Sequence, residues 1–72
     1  MRIEDLKPFL DRTVTLHMTS GEIARVKINF IDDDDGEIFA AVVETSTPEN
    51  YRQPCALHTF VAADIASAEI SV

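Results

Sequence analysis

Three groups of side chains in this 72-residue chain have the types and spacing to do chemistry. The first is Asp32-Asp33-Asp34-Asp35, four carboxylates in a row ahead of Gly36, the hard oxygen donors that Ca²⁺ and Mg²⁺ prefer. With Gly36 as the glycine of an EF-hand loop, Ile31 would stand first and Val42 last, where carboxylates are required. The run therefore reads as a solvated hairpin turn, and no metal ligand is assigned. The second group is Cys55, His58 and His17. Three positions apart on a strand, Cys55 and His58 face opposite sides of the sheet, which argues against a nucleophile–base pair or a shared metal site. Cys55 reads as a small buried thiol, His58 as a partly exposed imidazole and His17 as surface.

The third group is cationic. Arg25 and Lys27, two apart and outward-facing, form with Arg12 and Arg52 the one basic strip the sequence offers. Such a strip could touch phosphates, and Tyr51 beside Arg52 could stack a base as aromatic and guanidinium planes do in single-strand binders. The plainer reading is a solvating face, because acidic residues are interspersed. No Ser-His-Asp arrangement or paired carboxylates at a recognisable spacing are present. With two glycines in all, a phosphate-cradling loop is excluded. No catalytic residue and no cofactor follow, and a non-enzyme is expected.

Composition narrows the partners. Thirteen acidic against six basic side chains give a net charge of −7 and a pI near 4.5. Nucleic-acid binding draws most of its affinity from neutralised phosphates, so RNA is disfavoured as a partner, as is an anionic membrane surface. No apolar run is long enough for a transmembrane helix. Met1-Arg-Ile-Glu-Asp carries acid where a signal peptide carries base, so a cytoplasmic location is expected. One domain spanning residues 1–72 sits near the size at which a single core only just stabilises itself. A single cysteine rules out an intrachain disulfide, which leaves oligomerisation as the expected staple.

These groups must be positioned by a small set of elements. Ile3, Leu6, Phe9 and Leu10 lie on one stripe of a short helix within residues 3–11, which Pro8 should shorten or break. Thr13 to Met18 alternates, with Val14, Leu16 and Met18 on one face. Thr-Ser-Gly21-Glu is a turn in which glycine supplies a positive φ. Ile23 to Ile31 alternates again, with Ala24, Val26, Ile28 and Phe30 pointing one way and Arg25, Lys27 and Asn29 the other. At about nine residues it exceeds the usual five or six, as expected of a strand that bends to serve both halves of a barrel.

After the Asp32–Gly36 turn, Glu37 to Thr45 is apolar on both faces: Ile38, Ala40 and Val42 against Phe39, Ala41 and Val43. A strand with one solvated face should not read this way, so either the capping helix or another subunit covers the second face. Residues 46–54 form a polar loop holding Tyr51 and Arg52. Cys55–Val61 is a fourth strand, Ala62-Ala-Asp-Ile a single helical turn, and Ala66–Val72 a final strand with Ala68, Ile70 and Val72 on one face.

A short helix and five strands, with one helical turn before the last, are the plan of a small, strongly bent SH3-like barrel. Over nearly its whole length the chain resembles the Sm-like family. The first Sm motif is matched by an apolar-alternating strand, then Met18-x-x-Gly21, with Asp32 eleven positions beyond that glycine. The chain departs from the family where RNA is bound. The Met-Asn pair that follows the Asp in RNA-binding members is Asp35 and Gly36 here, and the Arg-Gly or Lys-Gly turn of the second motif is Ala62-Ala-Asp64-Ile65. The resemblance implies assembly, because Sm-like rings pair the fourth strand of one subunit with the fifth of the next. A final strand left as an edge needs such a partner.

The sequence thus predicts an all-β, five-stranded Sm-like barrel with a short N-terminal capping helix. The expected function is a non-enzymatic binding or scaffold protein that forms a homo-oligomeric ring, with subunit contacts from Phe39, Ala41, Val43, Phe60, Ala68 and Ile70. The alternative is an RNA-binding ring using Asp32, Tyr51, Arg52, Arg25 and Lys27. A third reading is a subunit that binds another protein by strand addition.

Overall fold

The protein is described by a computed structural model covering residues 1–46 and 57–71. It opens with helix α1, Ile3–Leu6, which passes into a one-turn 3-10 helix at Lys7–Phe9. Pro8 lacks the N–H that a continuing α-helix would bond, and the helix stops there after one turn. Of its apolar stripe, Leu6 is buried, Ile3 and Phe9 pack partly on the core, and Leu10 is exposed.

Five antiparallel strands follow: β1 Thr13–Met18, β2 Ile23–Asp32, β3 Glu37–Thr45, β4 Leu57–Val61 and β5 Ile65–Ile70. A 3-10 turn, Ala62–Asp64, joins the last two. They form one sheet in the order β4-β3-β2-β1-β5. The sheet curls into a barrel-like shape but does not close, since β4 and β5 pair with β3 and β1 and not with each other. The final strand begins one residue earlier than expected and ends at Ile70.

Turn chemistry sets the connections. Gly21 (φ +98°) and Gly36 (φ +65°) occupy the left-handed region that costs glycine least. Asp32 Oδ1 accepts hydrogen bonds from the Asp34 and Asp35 amides (3.1 and 3.3 Å), so the acidic run closes its own turn. The Ala62 amide donates to the Gly36 carbonyl (2.8 Å), which brings the β2–β3 and β4–β5 turns together at one end of the sheet. At the same turn the Met1 α-amino group donates to the carbonyls of Ala62 (2.9 Å) and Ile65.

The core is the inner face: Leu6, Val14, Leu16, Ala24, Val26, Ile28, Ile38, Ala40, Val42, Phe60, Ala62 and Ile65. Alternation places nearly all of them. Phe30 is the correction, since it is 56% exposed and lies on the outer face. Ile28 pairs with Ala40 but Phe30 pairs with Phe39, which leaves Asn29 as an extra residue in β2. Such a bulge reverses the phase of the strand. Ile31, not Phe30, then turns inward to pack on the core opposite Ile38. A second bulge, on β3, leaves Val43 between the pairs Val26–Val42 and Arg25–Glu44.

Candidate functional site

With no catalytic constellation expected, the candidate sites are surfaces: the sheet edges, the outer face and the acidic turn. Among the described residues the two edges are β4 and β5, each paired on one side only. Leu57 and Val61 project from β4 on the outer face, in register with Ala41 and Glu37, and both are exposed. On β5, Ile70 lies opposite Val14 yet is 48% exposed, with no strand among the described residues flanking it on the other side. Apolar side chains at an unpaired strand edge favour pairing with another strand.

Of the expected contact residues, Val43 is 55% exposed and Ile70 lies on the β5 edge, so both are open to a partner. Phe39 is half-buried beneath Phe30, with ring centroids 5.7 Å apart. Ala41 is half-buried between Lys27 and Leu57 in the cross-strand register. Ala68 packs partly against the core opposite Leu16. Phe60 is a correction: at 5% exposure it fills the protein's own core opposite Ile38 and is not presented to a second copy. Leu10, Ile23, Phe30, Leu57 and Val61 are exposed apolar residues that sequence reasoning does not assign to a contact surface. For Phe30 a signal exists: Phe30-Ile31 are adjacent apolar residues before Asp32, which strict alternation cannot place on one face.

The outer face runs as a polar row across four strands. Glu69 and Arg25 flank Thr15, and Arg25 is registered with Glu44. The Arg25 guanidinium meets Glu44 Oε2 at 2.9 Å, while its Nε is shielded from solvent without a partner among the described residues. Its charge is therefore engaged within the sheet. Lys27 shares that face and is exposed. Asp32 lies at the far end of β2, seven residues from Arg25, or about 23 Å at the usual rise of an extended strand. Arg25 and Lys27 are brought together; Asp32 is not brought to them. Tyr51, Arg52 and Cys55 lie outside the described residues. His17 on the outer face pairs with Glu69 (3.2 Å).

At the acidic turn, Asp32, Asp35 and Glu37 each bring a carboxylate oxygen within 4.8 Å of the others. Sequence reasoning does not assign Glu37 to this group. Its place comes from the β2–β3 register, in which it sits opposite Asp32. Chemically the cluster is a concentration of negative charge. Within the run, only Asp33 has an ion partner among the described residues, Lys7 Nζ at 3.1 Å.

Comparison of the chain with protein-family models, curated proteins and solved structures returned no match. No helix among the described residues is long and apolar enough to cross a membrane.

Proposed function

We propose that this chain is a non-enzymatic, Sm-like subunit that assembles through its two free sheet edges into a homo-oligomeric ring serving as a binding or scaffold unit. One observation carries the reading: among the described residues the sheet ends in two strands paired on one side only, β4 and β5, and both present exposed apolar side chains, Leu57 and Val61 on one and Ile70 on the other. Pairing β4 of one copy with β5 of the next would bond both edges and cover those residues. It would also add interior to a chain that can bury little alone. Because the two pairing surfaces differ, the contact is head-to-tail and generates a ring where the rotation closes.

Of the residues in the RNA reading, Arg25 is paired with Glu44 and Asp32 is held in its own turn, Lys27 is exposed, and Tyr51 and Arg52 lie outside the described residues. Size-exclusion chromatography with light scattering, read at 260 and 280 nm, tests both readings. The expected result is a discrete oligomer larger than a dimer without excess 260 nm absorbance, reduced to monomer by Leu57→Lys or Ile70→Lys. A wild-type protein that stays monomeric at tens of micromolar would sink the ring.

A further inference from the structure

A second surface lies where the end of the N-terminal helical segment meets the last third of β2. Lys7, Leu10, Asn29, Phe30, Ile31 and Asp33 line a groove of about 390 Å³ there. Its floor is apolar: Leu10 and Phe30 are both exposed although aliphatic and aromatic, and Phe39 extends the surface behind Phe30. The groove owes its aromatic wall to the bulge at Asn29. Without that extra residue Phe30 would point into the core, as alternation from Ala24 to Ile28 requires. Bulges that re-aim a side chain recur where strands serve a function.

The electrical character of the groove comes from the adjoining turn. Asp33 lines it, and Asp34 and Asp35 follow directly with exposed side chains. Asp32, Asp35 and Glu37 crowd within 4.8 Å of one another. Lys7 neutralises Asp33 alone. Apolar walls beside a surplus of uncompensated carboxylates are complementary to one chemistry, an apolar anchor carried next to a positive charge.

We propose that this groove is a docking site for a partner-protein segment in which an aromatic or aliphatic residue is flanked by Lys or Arg. The anchor would sit between Leu10 and Phe30, and the flanking cation would face the Asp34–Asp35 side of the turn. Neither edge strand contributes a lining residue, so docking here is separate from ring assembly.

The chemistry can be tested with three probes that share one apolar body: 4-phenylbutylamine, 4-phenylbutanol and 4-phenylbutyrate, each titrated into ¹⁵N-labelled protein and followed by amide shifts. The expected result is saturable shifts confined to the amides of Leu10, Asn29, Phe30, Ile31 and Asp33. The amine should bind about 3–5-fold more tightly than the alcohol, the scale of an exposed ion pair, and the butyrate most weakly. Phe30→Ser should remove saturable binding of all three. The double change Asp34→Asn with Asp35→Asn leaves Asp32 to hold the turn, and it should bring the amine down to the level of the alcohol. Absence of saturable shifts at these amides, or a butyrate that binds as well as the amine, would overturn the proposal. So would shifts of the same amides on dilution without any probe, because a second copy would then be the occupant.

Discussion

The two faces of the β2–β3 ladder carry similar residue types and meet different fates. On the inner face Val26, Ile28, Ile38 and Ala40 are wholly buried. On the outer face Phe39 and Ala41 are half-covered, while Phe30 and Val43 stand open to solvent. The capping helix does not cover the outer face: its buried contribution, Leu6, goes to the core. Alternation therefore assigns a residue to a face, but only the arrangement of the other elements decides whether that face is covered. The half-covered outer face is the observation from which the proposed groove starts, whereas the proposed ring starts from the sheet edges.

The comparison can be sharpened by truncating one residue from each environment and measuring stability by urea denaturation. Ile28→Ala removes a fully buried side chain from the inner face and should cost about 2–5 kcal/mol. For a domain this small, with total stability at the low end of about 5–15 kcal/mol, that loss removes a large share of the stability and, at the top of its range, leaves about half of the population unfolded. A cost below about 1 kcal/mol would break the contrast between the faces.

Phe30→Ala should cost less, about 0.5–1.5 kcal/mol, the range of an aromatic pair beyond its burial. The substitution removes the packing of Phe30 on Phe39, whose ring is tilted 53° against it. A cost as large as that of Ile28→Ala would show Phe30 to be core, and the bulge at Asn29 would have to be abandoned. Val43→Ala is the smallest change, within about 0.5 kcal/mol as for ordinary surface sites, when measured on dilute monomer. If the same substitution lowers stability by more than that only at concentrations where the protein assembles, Val43 is covered in the oligomer.

Much of the fold is legible in the sequence. The long second strand, the Gly21 turn, the Asp32–Gly36 turn and the single helical turn before β5 follow from periodicity and turn residues, which are local properties. The break of the first helix at Pro8 is legible for the same reason. What escapes is non-local. Phe30 reads as inward because Ala24, Val26 and Ile28 set a phase; the adjacent apolar pair Phe30-Ile31 hints that the phase breaks, but the extra residue, Asn29, is defined only against the β3 register. Phe60 reads as an interface residue because its strand alone does not show that it faces Ile38 across the sheet. Glu37 joins the carboxylate cluster through pairing with Asp32.

The sequence by itself determined the strands, their turns and an acid excess, because backbone preference and net charge are written residue by residue. Tertiary structure alone decided where the bulges fall and which apolar side chains remain uncovered. Those outcomes depend on register between strands far apart in the chain, and register is set by the packing of the whole sheet.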